Sequence, residues 1–254
     1  MPLSARTTAP TYGTLLLRGL LAGLIAGLLA GIFAYAAGEP KVDAAIAIEE
    51  ANAHATGDDG HHDEELVSRD GQKGGLFLAT GLYGVAMGGI LATAYTVLRR
   101  RLRTRSDTRA ALGLAGAALL GIVVVPYLKY PPNPPAVGNP ATINQRTISY
   151  LAIVVLGLVA IWAGVIAART QPAEWRQALA GVAGFLVVVT IGYALLPTVN
   201  EVPDTFPATL LWNFRIASLG TQAVLWSALG LGFAALATRP AGKPATDKET
   251  VAVA

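Results

Sequence analysis

Cysteine is absent from the 254 residues, methionine occurs twice and histidine three times. With Met87 the only internal methionine, no thiolate or thioether site for Cu(I) can be built. Charge is scarce too, at 14% of residues against about a quarter in soluble domains. No G-x-x-x-x-G-K-[ST] occurs, which excludes ATP hydrolysis by the P-loop route, and no H-E-x-x-H, which excludes zincin chemistry. All three histidines, His54, His61 and His62, fall in one short stretch, so no serine–histidine hydrolase arrangement is available. The chain reads as no enzyme. Any uphill movement it performs must draw on an ion gradient, the membrane potential or a partner.

What is present is apolar. The hydrophobic share is 53% and the mean hydropathy +0.50, with 28 glycines. Glycine is frequent in transmembrane helices, where small residues let backbones approach. The pI of 9.3 does not point to a nucleic-acid partner, because the basic residues lie beside apolar segments rather than on one solvated face. A span needs ~20 mainly apolar residues. Six stretches qualify, near 13–37, 74–98, 111–128, 147–168, 178–196 and 216–238. The third and fifth are read as stopping at Pro126 and Pro197. The fold class is therefore all-α: a polytopic membrane helix bundle in the lipid bilayer, one transmembrane domain over residues 1–238, with a disordered cytoplasmic tail at 239–254.

Basic residues near span ends set orientation. With the N-terminus inside, thirteen lie inside, six of them in the Arg99–Arg109 cluster, and six lie outside: Lys41, Arg69, Lys73, Lys129, Arg146 and Arg215. Both termini are expected to be cytoplasmic, in a multi-pass inner-membrane protein. Ala34-Tyr35-Ala36 resembles a signal-peptidase site, but the apolar run before it is too long for a signal peptide, and retention of the first span is expected. Gly19, Gly23, Gly27 and Gly31 form a stripe down one helix face, read as a packing surface.

The outside loops carry the polar signal. Residues 38–73 hold ten acids against three bases, a net of −7. Within them KVDAAIAIEEANAH reads as helix, opened by Glu39-Pro40, with Asp43, Glu50 and His54 on one face. Glu50 and His54, four apart, can chelate one ion. Imidazole with carboxylate suits Co, Ni, Zn or Mn, so Glu39, Asp43, Glu49, Glu50, His54, His61, His62, Asp63 and Glu64 are the candidate metal residues. Gly57 and Gly60 make the His61–Glu65 run a loose tract that captures ions rather than caging them. A solvated acidic face is the bland alternative.

The other two loops read KYPPNPPAVGNPATINQR (129–146) and PTVNEVPDTFPATLLWNFR (197–215). Each is proline-rich and runs into a helix opening with Arg-x-x-Ser: Arg146/Ser149 and Arg215/Ser218. The parallel hints at duplicated hairpins. Lys129, Asn200, Glu201 and Arg215 cluster by depth, and Tyr83, Tyr193, Ser218, Thr221 and Gln222 are milder polar candidates inside the spans. Lys129, Tyr130, Asn133, Asn200, Glu201, Arg215 and Gln222 make up the candidate transport path.

LRGLLAGLIAGLLAGIFAYAAGEP, AIAIEEANAH, EELVSR, GLYGVAMGG, PYLKYPPNPPAVGNPATI and ALLPTVNEVPDTFPATLLWNFRIASLGTQAVLW resemble the CbtA family of predicted cobalt-transporter subunits. The resemblance implies a membrane component of cobalt uptake, of a kind often paired with a small one-span histidine-bearing subunit, CbtB. It also marks Glu39, Pro40, Glu49, Glu50, His54, Lys129, Tyr130, Pro131, Asn133, Pro134, Pro135, Asn200, Glu201, Pro203, Arg215 and Gln222 as family-like positions. The expected activity is uptake of Co2+, or of Ni2+ or Zn2+, with no tightly bound cofactor. The rival classes are a non-conducting metal-binding accessory or sensor, and a membrane scaffold without a metal role.

Overall fold

A computed structural model describes residues 10–56 and 68–239. Its elements are α1 (Tyr12–Phe33), a π-helical stretch (Ala34–Gly38), α2 (Glu39–Thr56), α3 (Arg69–Leu98), α4 (Asp107–Ala118), a second π stretch (Leu119–Val124), α5 (Val125–Lys129), a short 3-10 turn (Pro140–Thr142), α6 (Ile143–Arg169), α7 (Glu174–Leu195) and α8 (Ala208–Ala237). No strand occurs among the described residues. Six helical segments are long and apolar enough to cross a membrane, matching the expected all-α bundle.

The helices alternate in direction, giving the bundle two unlike ends. At the basic end, Arg18 Nη1 donates to the Arg239 carbonyl at 2.8 Å, joining the first helix to the end of the last. Arg169 Nη2 donates to the Arg101 carbonyl at 2.9 Å, tying α6 to the arginine-rich linker after α3. The opposite, loop end carries α2 and the proline segments before α6 and α8.

Two prolines are treated differently from the reading above. Pro126 does not end its helix: the chain stays helical from Asp107 to Lys129. Likewise α1 runs without a break through Glu39-Pro40, giving a continuous helix from Tyr12 to His54. A proline lacks the N–H and clashes with the carbonyl four residues back. A π stretch precedes each, at 34–38 before Pro40 and at 119–124 before Pro126. The wider turn shifts bonding to i→i−5 and relieves the clash, so the helix swallows the proline. Pro197 does behave as expected, since α7 ends at Leu195.

The 43 residues from Tyr12 to His54 would reach roughly 65 Å at 1.5 Å per residue, about twice a hydrocarbon core. The charged half, α2, therefore projects beyond it as an arm. Ala45 and Ile48 on this arm pack against Val137, Phe206 and Leu211 of the proline segments and α8. Glu39 and Asp43 accept from Arg69, and Asp43 also from Lys73 at 3.2 Å, linking the arm to the first turn of α3.

Helix α1 is central, lying between α3 and α8, with α4 on the far side of α8. The α1–α3 seam is closed by the glycine stripe. A Cβ on Gly23 would overlap the Gly84 carbonyl, and one on Gly88 the Gly19 carbonyl. Both helices give up side chains so that backbones touch. Next to this body, α6 and α7 form a hairpin that leans on the second π stretch, where Gly121 and Gly157 meet backbone to backbone.

Candidate functional site

The site grows out of the two proline segments. Tyr130 ends α5, and its hydroxyl donates to the Pro197 carbonyl at 2.6 Å. Arg146, on the first turn of α6, donates through Nη1 to Glu201 Oε2 at 3.1 Å. Arg215, on the second turn of α8, donates through Nη2 to Asn133 Oδ1 at 2.9 Å and through Nε to the Pro132 carbonyl at 3.4 Å. Each arginine that opens a helix thus grips the proline segment belonging to the other helix. The Arg-x-x-Ser parallel is realised as a reciprocal clasp.

Glu201 is the knot of that clasp. Its carboxylate accepts from the Thr142 hydroxyl, the Asn139 amide at 3.0 Å and Arg146. The Thr142 and Asn139 donors, with Arg146 close by, hold its carboxyl below the usual carboxylate range. Gly138 sits against the pair at φ 145°, a backbone only glycine adopts freely, and a Cβ there would lie 2.8 Å from Arg146 Nη1.

Beneath the clasp lies a cavity of about 570 Å³. Its walls come from α3 (Tyr83), the second π stretch and α5 (Ile122, Tyr127), α6 (Arg146, Thr147, Tyr150), α8 (Arg215, Ser218, Gln222) and both proline segments. It sits between the α1–α3–α8 body and the α6–α7 hairpin, in the loop half of the bundle. The Gln222 side chain is hydrogen-bonded to Tyr83, and its Oε1 is buried with no hydrogen-bond partner among the described residues. Over the next three turns of α8, Leu225, Trp226, Leu229 and Phe233 are buried in the main core.

Of the expected transport path, Tyr130, Asn133, Asn200, Glu201, Arg215 and Gln222 line this one cavity. Lys129 does not: its ammonium donates to the Tyr193 carbonyl at 3.0 Å, and Tyr193 in turn donates to the Val125 carbonyl at 2.5 Å. Tyr83 and Ser218 are lining residues. Thr221 is turned back on its own helix, bonded to the Ala217 carbonyl. Tyr127, Tyr150, Thr142 and the clasping role of Arg146 were missed. The repeated Arg-x-x-Ser was the signal that could have found Arg146, had it been taken as a pairing rule.

The candidate metal residues are placed unevenly. Glu39 and Asp43 are occupied by Arg69 and Lys73, whose donors hold Asp43 below its usual range, so a cation would have to displace them. Glu49, Glu50 and His54 are exposed on the outer half of the arm, with Glu50 and His54 one turn apart as expected. No group of three or more histidine or acidic side chains able to hold a metal occurs among the described residues. His61, His62, Asp63 and Glu64, like the tail from residue 240, lie outside the described residues.

No curated protein and no solved structure matches the chain. The sequence model of the CbtA family, described as probable cobalt transporter subunit, matches residues 12–238. That stretch takes in all six apolar helices, the clasp and the cavity, and the chain belongs to the CbtA family, whose description is probable cobalt transporter subunit.

Proposed function

We propose that this chain is the membrane component of divalent-cation uptake, with cobalt as the physiological ion, and that the cavity under the clasp is the mouth of its route. The observation that carries this reading is the gathering of six polar residues, from sequence positions as far apart as Tyr130 and Gln222, around one cavity in an apolar bundle. Polar side chains at membrane depth are costly and are kept where they serve a route. The orientation that suits it puts both termini in the cytoplasm of an inner-membrane protein. The loop end then faces outward, and the acidic arm with residues 57–65 raises the local cation concentration by its negative field. Glu50 and His54 hand the ion from the arm toward the mouth.

Beyond Gln222, α8 runs into an apolar core of buried Leu225, Trp226, Leu229 and Phe233. Passage past that core therefore needs a second arrangement of the helices. The same apolar core favours a second reading: a subunit that receives the ion and delivers it through a partner, of which a CbtB-like one-span protein is the expected kind. Cobalt uptake into liposomes containing only this chain decides between them. Accumulation above protein-free liposomes supports a conducting chain. None, with uptake restored by a co-reconstituted one-span subunit, supports the relay.

A further inference from the structure

The charges around the cavity do not suit a bare divalent cation. Among the described lining residues Glu201 is the one carboxylate, and its oxygens are taken by Thr142, the Asn139 amide and Arg146. Arg215 is different. Its guanidinium is part-buried, and its bonds go to two neutral acceptors, the Pro132 carbonyl and Asn133 Oδ1. No carboxylate is paired with it among the described residues. A part-buried guanidinium beside a cavity, with no carboxylate bonded to it, is a site for an anion, and its planar fork matches a carboxylate. Deeper in the cavity the Gln222 amide is hydrogen-bonded to Tyr83, and its Oε1 is a buried acceptor with no donor among the described residues, suited to a metal ion or a metal-bound water.

Size points the same way. Six waters at roughly 30 Å³ each fill about 180 Å³, and a cavity of about 570 Å³ leaves most of its room unfilled by one hydrated ion. We propose that the cavity takes the divalent cation together with a small organic carboxylate that coordinates it, Arg215 holding the carboxylate and Gln222 Oε1 facing the metal or its bound water. This rests on the cation-uptake reading and adds a substrate class to it. The carboxylate neutralises the ion, so that the pair passes two guanidiniums and enters an apolar bundle without a bare double charge. Tyr127 and Tyr150 supply the aromatic wall and hydroxyls that fit a ligand of that kind.

The test is calorimetric titration of the full chain in nanodiscs with three probes: the one-to-one Co2+–citrate complex, citrate alone and aqua Co2+. The complex should bind at least about tenfold tighter than citrate alone, the size of an ordinary coupling between ligands that share a site. Arg215→Gln should abolish binding of the complex, and Arg215→Lys, which keeps the charge and loses the fork, should retain part of it. Where Arg215→Gln lowers the melting temperature, Gln222→Leu carries the test: it should weaken the complex and leave citrate alone unchanged. Equal binding of the complex by wild type and folded Arg215→Gln overturns the proposal. Uptake of aqua Co2+ by wild type and Arg215→Gln alike would leave the transport reading standing and end this one. Tight, Arg215-dependent binding of the complex without any uptake would do the reverse.

Discussion

Two inter-helix contacts in this bundle are built on opposite principles. Between α1 and α3, glycines at Gly19, Gly23, Gly27, Gly84 and Gly88 let the backbones touch. Between the α3–α8 side of the body and α6, tyrosines, arginines and a glutamine hold a cavity open. In lipid no hydrophobic force drives helices together, so close van der Waals contact is what makes a seam rigid. Where contact is withheld and polar groups fill the gap, rigidity has been exchanged for a place where something can bind. The seam is the frame and the cavity is the working part.

Breaking the seam should have the largest effect. Gly23→Leu drives a side chain into the Gly84 carbonyl, which is backbone and cannot swing away. Overpacking of this kind should cost on the order of 1–3 kcal/mol, read as a lowered melting temperature in detergent. Gly113 has nothing within 4 Å, and Gly113→Leu should stay within about 0.5 kcal/mol of wild type. Equal melting of the two variants would mean that the seam is not what holds α1 to α3.

The arm and the loop beyond it should separate next. Replacing Glu50 and His54 by alanine removes two exposed groups on a helix anchored to the bundle through Ala45 and Ile48. Their loss should lower the maximal rate of cobalt uptake several-fold. Replacing His61 and His62 should raise the half-saturating cobalt concentration and leave the maximal rate near wild type. Small, equal effects from both pairs would count against delivery from the arm.

The clasp gives a smaller, pH-dependent effect. Glu201 is held below its ordinary value of 4.5 in the fold, so its bonds stabilise the folded state fully above that value. That contribution is lost as the pH falls through the lower, folded value. Glu201→Gln should melt earlier than wild type at neutral pH, and the gap should close on acidification below about 4.5. A gap that is constant from pH 7 to pH 3 would show that Glu201 acts by shape alone.

The comparison also explains what could be read from the sequence. The seam was legible, because a four-residue glycine period projects onto one helix face whatever surrounds it. The six spans were legible for the same local reason, by hydropathy over a helix length. Pro126 misled, since a proline's local rule is to stop a helix and the π stretch that absorbs it has no sequence mark beyond an apolar run. The cavity was half legible. Asn133, Glu201, Arg215 and Gln222 stand out as polar residues beside apolar spans. That Arg146 reaches Glu201 while Arg215 reaches Asn133 depends on how two segments cross in space, and no periodicity encodes a crossing.

The absence of native cysteine makes the central claim directly testable. Ser218 lines the cavity, and its hydroxyl is bonded only to the Phe214 carbonyl of its own helix, at 2.9 Å, so Ser218→Cys places a single thiol in the cavity wall. Cobalt accumulation in vesicles carrying this variant should be measured before and after labelling with a bulky thiol reagent. If the cavity is the mouth of the route, labelling should cut accumulation to the protein-free background, and excess Co2+–citrate should slow the labelling. Full accumulation by a completely labelled protein would contradict the account.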